Sequence, residues 1–369
     1  MTSRQRLLAA YQRQPVDRLP LRVWGVHALD EAWVAGRDPS YRPVIEATLA
    51  HGDFVGSWGP GQGLFYSAAE CPTSTSTDDR GDWVLHRTTV HTPAGDLHWA
   101  YQASKSGLPG MQTEFMVKQL ADLDCVLSVP YEPLRPDCAG FFAAQTALGE
   151  RGVVHCVLPN AISMLHELMG SERFAVWSLD ERSRLLAALE TFHQRCLDLL
   201  RYLLDQGVGP VFTMYGAEYV APPLHGPRDF HEFSARTDSE MARLIHERGG
   251  LLHIHCHGPL GAVLEQFAEL GCDCLHPVEP PPMGDVTLAH AVRRIGHRTC
   301  LEGNIQIGDL YAGRTEDIVA QVRHNIEVTG CRGYVLSPTA SPHTPVLEPL
   351  TVRNYLAMIE TAVEYGRVE

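Results

Sequence analysis

Three histidines alternate along one short apolar segment. In the stretch LLHIHCHG, residues 251–258, single residues separate His253, His255 and His257. If this segment is a β-strand, alternation places the three imidazoles on one face of it. Neighbours two apart on a strand lie about 7 Å apart along the backbone, a separation from which two ring nitrogens can converge on one ion. The pattern is the strongest metal signal in the chain.

A carboxylate follows the next predicted strand. Glu279 comes 24 residues after His255 and 22 after His257. One barrel strand away, it can complete a set of two histidines and one glutamate, which suits Zn²⁺ with a position left open for substrate or water. The alternative is that the histidines hydrogen-bond to neighbouring groups and Glu279 pairs with an arginine.

Polar residues also follow the other predicted strands, where a ligand could bind. Three of them are candidates for orienting an acceptor or moving its proton: Tyr215, Asn304 and His343. Seven more are candidates for substrate binding: Trp24, His27, Asn160, Glu218, Glu302, Gln306 and Ser341. By contrast, Cys272 and Cys274 lie at the start of their strand, the structural end of a barrel, and we expect them not to bind metal.

A strand–helix rhythm carries these residues. Short apolar runs begin near residues 153, 210, 251, 272, 299 and 333, and a helical pattern follows each run. Intervals of this kind suit βα units that form a parallel sheet. With predicted strands at 19–26 and 53–58 there are eight, which favours a single (β/α)₈ TIM barrel. A doubly wound open sheet is the alternative, but no GxGxxG follows an early strand.

Two further elements are predicted near the N-terminus. A helix from residue 3 to about 14, with Thr2 or Ser3 as its cap, leads into the first strand. A β-hairpin is predicted between Trp83 and Gln102 around the turn at 92–96, as an insertion of about residues 81–102. Because no linker or repeat divides the sequence, we expect one domain over residues 1–369.

Composition excludes several classes of protein. The formal charge of -14 disfavours a broad nucleic-acid-binding face, which needs clustered lysine and arginine. No apolar run approaches the roughly 18 residues of a membrane span, and the start lacks the core of a signal peptide. Ten scattered cysteines indicate reduced thiols, so we expect a cytoplasmic protein.

Several segments together resemble the uroporphyrinogen decarboxylase superfamily. They are RLLAAYQRQPVDRLPLRVW, HIHCHG, LHPVEPPPMGDVTLAHAVRRIG, LEGNIQIGDL and LSPTASPHTPVLEPLTVRNYLAMIE. The resemblance covers nearly the whole chain and is weakest between residues 53 and 112. It implies a TIM barrel and one of two chemistries. These are metal-free decarboxylation of a tetrapyrrole, and zinc-dependent methyl transfer between a corrinoid and a thiol or other acceptor.

The motifs of the two branches can be compared with this chain. The decarboxylases carry Arg-Gln-Ala-Gly-Arg after the first strand, whereas this chain reads RVWGVHA at residues 22–28, which disfavours a highly carboxylated substrate. The methyltransferase branch resembles His-x-Cys-Gly at the strand where this chain has His255 and His257. Glu279 matches a glutamate of the similar zinc site of cobalamin-independent methionine synthase. The last family ligand, a cysteine, aligns with Ala340, so His343, Ser341 or water would replace it.

The resemblance and the residues together predict a zinc-dependent methyltransferase or demethylase. Zinc held by His255, His257 and Glu279 would activate a heteroatom of a small-molecule acceptor. A corrinoid would be the methyl donor or acceptor, and a corrinoid protein could be a partner. The first alternative is a metal-free decarboxylase acting on a tetrapyrrole or a smaller acid. The second is a non-catalytic protein that binds a corrinoid or another small molecule.

Overall fold

The computed structural model describes residues 1–368 as an α/β fold with two sheets. The strands are β1 Phe54–Trp58, β2 Thr73–Arg80, β3 Trp83–Thr92, β4 Gly95–Ser104, β5 Met111–Glu114, β6 Gly152–Val157, β7 Val211–Met214, β8 Leu251–His255, β9 Cys274–His276, β10 Cys300–Ile305 and β11 Tyr334–Pro338. The larger sheet is parallel and curled, with the order β1-β6-β7-β8-β9-β10-β11. Its carboxyl ends lie along one edge, which we call the mouth.

Helices connect and surround these strands. They are α1 Ser3–Tyr11, α2 Glu31–Ala35, α3 Arg42–His51, α4 Leu120–Leu127, α5 Ala139–Leu148, α6 Ala161–Asp180, α7 Arg182–Asp205, α8 Pro227–Phe230, α9 Arg236–Glu247, α10 Leu264–Leu270, α11 Leu288–Ile295, α12 Ile307–Ala312, α13 Thr315–Thr329 and α14 Pro349–Tyr365. From β6 onward, a helix follows each strand of the parallel sheet, as the sequence predicted. None of the helices in residues 1–368 is long and apolar enough to cross a membrane.

The predicted first strand, residues 19–26, is wrong as a regular strand. A single parallel bridge joins Leu21 to Leu336 of β11. The Arg22 N–H donates to the Leu336 carbonyl at 2.9 Å, and the Leu21 carbonyl accepts from the Asp53 N–H at 2.7 Å, next to β1. Pro20 has no N–H for a longer ladder, and Gly25, with φ +75°, turns the chain away. The prediction of a (β/α)₈ barrel is therefore confirmed only as a seven-stranded curled parallel sheet.

Helix α1 begins where the sequence indicated. The Thr2 side chain caps it, and Gln5 completes a capping box. Its buried residue Tyr11 reaches the inner face of the sheet, where the phenol oxygen lies 3.3 Å from His155 Nε2 of β6. The His155 ring in turn lies 5.0 Å from the ring of His253. The inner face of the parallel sheet is therefore rich in imidazole below the mouth.

The predicted hairpin is present, with two further strands beside it. Strands β3 and β4 pair in register from Trp83↔Ser104 to Thr92↔Gly95. They belong to an antiparallel sheet of order β2-β3-β4-β5, so the insertion is longer than residues 81–102. The sequence of β2, TSTSTDDR, is exposed at every position. It therefore lacks the apolar alternation by which a half-buried strand is recognised in a sequence.

Candidate active site and metal-ligand groups

A histidine and a carboxylate meet at the mouth, just beyond β8 and β9. The distance from His257 Nδ1 to Glu279 Oε1 is 3.3 Å. The Gly258 N–H donates to the other carboxylate oxygen at 2.8 Å. Because β8 and β9 are parallel neighbours, the loops that follow them lie side by side and bring the two residues together. Of the alternative from the sequence, the hydrogen bonds of the histidines to neighbouring groups are present, whereas the arginine partner for Glu279 is wrong within the described residues, since His257 takes that place.

The contact between these two residues changes both pKa values. The hydrogen bond to Glu279 raises the pKa of His257 against the effect of partial burial. Burial acts to raise the pKa of Glu279, but hydrogen bonds from His257, the Gly258 N–H and Gln306 hold it below its usual value. The carboxylate therefore stays ionised at neutral pH.

Gln306 lies beside Glu279 at this edge. Its Oε1 accepts from the Thr339 hydroxyl at 3.2 Å. Its buried Nε2 has no well-formed hydrogen bond within the described residues, although its amide approaches the Glu279 carboxylate. The amide nitrogen is thus a donor available to a ligand or to Glu279.

The third predicted ligand, His255, is fixed by its neighbour His276. The Nδ1 atoms of the two rings are 2.8 Å apart, and His276 Nε2 is 3.1 Å from the Pro338 carbonyl oxygen. A carbonyl only accepts, so His276 carries its proton on Nε2 and accepts at Nδ1. His255 must then donate from Nδ1, and its Nε2 keeps a free lone pair. Burial lowers the pKa of both rings, that of His276 to about 3, so both are neutral.

Aromatic rings surround His255. The Trp24 ring lies flat on that of His276, with centroids 3.9 Å apart, and 5.1 Å from that of His255. The Tyr215 ring, just after β7, lies 5.2 Å from the His255 ring, and the Tyr215 side chain extends toward solvent. The loop that carries Trp24 packs tightly on Ser341, because a Cβ on Gly25 would come within 2.3 Å of the serine side chain. Trp24 and Tyr215 therefore lie beside His255, and Ser341 lies against the loop that carries Trp24.

A second group of metal-type side chains lies deeper, on the inner face. Among the described residues, His253, Cys274 and Glu302 form the group of three whose ligand atoms all lie within 4.8 Å of one another. We call them the interior group, and His255, His257 and Glu279 the mouth group. The mouth group does not meet this distance. The interior group comes from the adjacent strands β8, β9 and β10, and all three side chains are buried.

The interior group has a cation beside it. Arg22 Nη1 donates to Glu302 Oε1 at 2.9 Å, and the guanidinium carbon lies 3.9 Å from the centre of the Trp24 ring. Burial acts to raise the pKa of Glu302, but Arg22 and His253 hold it well below its usual value. Burial raises the pKa of the Cys274 thiol. Without a further cation this group therefore holds a neutral thiol and an ion pair.

Most of the remaining predicted residues lie away from His257 and Glu279. Asn304 accepts from the Asn325 amide at 3.0 Å and so points to α13. His343 stacks on Tyr311 with centroids 4.6 Å apart. His27 lies edge-on to Trp33 at 5.5 Å, in an exposed position. Their side chains already serve packing or helix contacts.

Two candidates support the mouth from below. Asn160 caps α6 through the Ser163 N–H and donates to the Tyr215 carbonyl at 2.8 Å. It therefore positions the Tyr215 backbone. The Glu218 carboxylate accepts from the Gly216 N–H at 3.0 Å, and burial raises its pKa while the charge of His257 opposes that rise.

Sequence reasoning did not select His276, and it placed Cys274 outside any metal set. Both residues follow from the register of the parallel sheet, in which His255 pairs with His276 and His253 pairs with Cys274. Once strand alternation has put His253 and His255 on the inner face, register puts their partners on that face too. This signal needs a register that the sequence alone does not give.

One cavity lies apart from both groups. Its volume is about 350 Å³, and it lies between the segment 22–30, β1 and α5. Its polar lining includes His27, Asp53 and Arg151. None of the six side chains of the mouth and interior groups lines it. Because the Asp53 carboxylate is already paired with Arg6 and Arg18, we assign no chemistry to this cavity.

Comparisons with known proteins give a family and a fold. The model of the family described as uroporphyrinogen decarboxylase (URO-D) matches residues 154–365. No curated protein sequence matches the chain. The structure is similar to a methyltransferase from Methanosarcina mazei, with 16% identity, a TM-score of 0.63 and coverage of 99% of each chain. It is also similar to a B12-independent methionine synthase from Shewanella sp. W3-18-1, with 13% identity, a TM-score of 0.43 and coverage of 95% of this chain and 94% of that one.

Proposed function

The chain belongs to the uroporphyrinogen decarboxylase family, and we propose that within it this protein is a zinc-dependent methyltransferase or demethylase. In this proposal the mouth group holds the ion, and a small-molecule acceptor binds at the mouth with its heteroatom toward it. The observation that carries the proposal is the 3.3 Å contact of His257 with Glu279 at the ends of neighbouring strands, with His255 adjacent.

The donor chemistry of the mouth group fits zinc. Two imidazoles and one carboxylate make a common catalytic set that leaves a position open. The His255 and His257 ring centroids are 4.6 Å apart, and the His255 Nε2 lone pair is free because His276 fixes the other nitrogen. The Glu279 carboxylate is ionised, as a ligand must be. The three ligand atoms do not all lie within 4.8 Å of one another, so the His257 or Glu279 side chain would have to move for all three to bind one ion while His276 holds His255.

The residues around the mouth group would orient its ligands and contact the acceptor. Zinc in such a site acts as a Lewis acid that lowers the pKa of a bound heteroatom. The Pro338 carbonyl and His276 hold His255 in the tautomer that presents Nε2. Tyr215 is half-exposed beside His255, where its hydroxyl can donate to or accept from the acceptor. The Gln306 amide lies beside Glu279, where it can donate to the carboxylate or to the acceptor, and Trp24 provides an apolar wall.

The methyl donor in this proposal is a corrinoid, carried by a separate protein or bound directly. The solved methyltransferase from Methanosarcina mazei supports it only through its shared fold. The exposed position of Tyr215 and His257 is compatible with a large donor, because both face solvent at the mouth.

Metal analysis of the purified protein tests the proposal. We expect the wild-type protein to contain zinc and to transfer a methyl group from methylcobalamin to a small thiol. His257→Ala and Glu279→Ala should each lose one equivalent of zinc and this activity. His324→Ala, which removes an exposed histidine of α13, is the matched control and should keep both. An unchanged zinc content in the two mouth variants would sink the proposal.

Decarboxylation without metal is the second candidate, because the matching family is described by that activity. Such a reaction on a carboxylated substrate calls for a free cation at the mouth. Arg22 is the nearest candidate, but its charge is already paired with Glu302. Turnover of a carboxylic acid that persists in excess chelator would favour this candidate over methyl transfer.

A further inference from the structure

The interior group has the dimensions of a tetrahedral metal site. The distance from His253 Nε2 to Glu302 Oε2 is 3.3 Å, and that from Cys274 Sγ to the same oxygen is 3.8 Å. Around a zinc ion, tetrahedral nitrogen, oxygen and sulfur ligands lie about 3.3 to 3.6 Å from one another. The two separations are therefore close to those between the corners of a coordination tetrahedron, and the third pair of ligand atoms lies within 4.8 Å.

An unpartnered nitrogen points into this group. His253 is 1% exposed, and its Nε2 makes no well-formed hydrogen bond to the described residues. Its other nitrogen, Nδ1, lies 2.8 Å from the Thr213 hydroxyl. If Nδ1–H donates to that hydroxyl, the Nε2 lone pair faces a carboxylate oxygen. A cation between the two atoms would turn that repulsion into two bonds.

A second thiol is at hand for a fourth ligand. Cys300 is the partner of Cys274 in the register of β9 and β10, and both side chains are buried. The Cys300 sulfur is not within 4.8 Å of all three other ligand atoms, so its side chain would turn toward the ion on binding. With both thiols protonated, the charges of Glu302 and Arg22 cancel. A divalent cation that displaces both thiol protons to solvent leaves the same total charge of zero. The buried cluster can therefore take up a divalent ion without gaining net charge.

Arg22 does not compete with an ion for the same oxygen of the Glu302 carboxylate. It occupies Glu302 Oε1, whereas His253 and Cys274 face Oε2. A carboxylate that binds a metal through one oxygen is commonly hydrogen-bonded through the other.

We propose that His253, Cys274 and Glu302 bind a thiophilic divalent cation such as zinc, with Cys300 as the fourth ligand, in a second site separate from the mouth group. The inference does not depend on the proposed function. The ion would cross-link β8, β9 and β10 beneath the mouth. Because all four residues are buried, it would be incorporated as the chain folds and would exchange slowly.

Sulfur distinguishes this site from the mouth group, which contains no cysteine. X-ray absorption at the zinc edge of the wild-type protein should show zinc–sulfur scattering at about 2.3 Å. Protein expressed with cobalt in place of zinc should show a sulfur-to-cobalt charge-transfer band in the near ultraviolet. Scattering from nitrogen and oxygen alone, or a protein without tightly bound metal, overturns the proposal.

Variants assign the sulfur. We expect Cys274→Ala to lose one equivalent of metal and the charge-transfer band, while His257→Ala keeps the band. Cys272→Ala is the matched control, since Cys272 is equally buried and precedes β9. If Cys274→Ala does not fold, His253→Asn should shift the visible cobalt spectrum. A band that persists in Cys274→Ala, or a cobalt spectrum unchanged in a folded His253→Asn, contradicts the assignment.

Discussion

The mouth group and the interior group share strand β8 but differ in their access to water. The His257 side chain is 38% exposed, whereas those of His253 and Glu302 are 1% and 0% exposed. Each group pairs a histidine from the β8 segment with a carboxylate from a later strand or loop. A ligand could therefore reach and leave the mouth, whereas anything bound in the interior would exchange slowly.

The two carboxylates also show how burial decides what a charge costs. Glu279 is kept ionised by a histidine and a backbone N–H at the rim. Glu302 is fully buried and depends on the guanidinium of Arg22. Asp238 of α9 is a third case, because it is buried with the Ser234 hydroxyl as its only side-chain partner among residues 1–368, and burial raises its pKa to about 7. A partner cation is what separates Glu302 from Asp238.

The largest expected effect comes from breaking the interior ion pair. Glu302→Gln leaves the Arg22 charge largely buried without a partner, so we expect a loss of about 3 to 5 kcal/mol in the free energy of unfolding. Glu279→Gln should cost less, about 1 kcal/mol, because it weakens one hydrogen bond to the partly exposed His257 and leaves no buried charge without a partner. Urea unfolding of both variants, measured side by side, checks the difference. Equal losses would show that the two carboxylates are equivalent.

The buried Asp238 carboxyl, which has no cation as a partner among the described residues, should make the free energy of unfolding depend on pH. Its folded pKa is raised above the unfolded value, so the folded protein binds the proton more tightly, and stability falls as pH rises from about 4 to about 7. The full cost is ~4 kcal/mol at higher pH. Asp238→Asn stays neutral, so its stability relative to wild type should rise across this window and then level off. Urea unfolding at a series of pH values measures this difference, and a constant difference refutes it.

The hydrogen bond from His255 to His276 should matter to the mouth alone. His276→Leu removes the acceptor for His255 Nδ1–H, and loss of such a supporting partner weakens metal binding by about 10- to 100-fold. His276→Asn retains an acceptor oxygen and should recover part of the affinity. Nitrogen NMR of the metal-free protein should show His255 as the Nδ1–H tautomer in wild type. A mixture of the two His255 tautomers in wild type would contradict the hydrogen bond from His255 Nδ1–H to His276.

The smallest effect is expected at Thr213. Thr213→Val removes the hydroxyl partner of His253 Nδ1 and should cost about 1 kcal/mol of stability. Thr213→Ser keeps the hydroxyl and serves as the control. Because this contact lies in the interior, the metal affinity of the mouth group should not change. Calorimetric unfolding and a zinc titration of the mouth separate the two effects, and an altered mouth affinity would show that the groups are coupled.

The fold could be predicted where burial leaves a pattern in the sequence. The strands from β6 to β11 are apolar runs between helical segments, and all were predicted near their observed positions. The segment at 19–26 is also apolar, but it is limited to one bridge with β11, because Pro20 has no N–H and Gly25 turns the chain away. Strand β2 is polar throughout and gave no signal.

Strand alternation alone determined that His253 and His255 share a face, and the spacing to Glu279 indicated a carboxylate one strand further on. Only the tertiary structure decided which residues oppose them. Parallel register brings His276 to His255 and Cys274 to His253, and the segment at Arg22 supplies the cation for Glu302. Periodicity is a local property of the backbone, whereas register and the closing of a curled sheet depend on packing between residues distant in the chain. For that reason the sequence could name a histidine-rich strand, but not divide its side chains between a mouth and an interior.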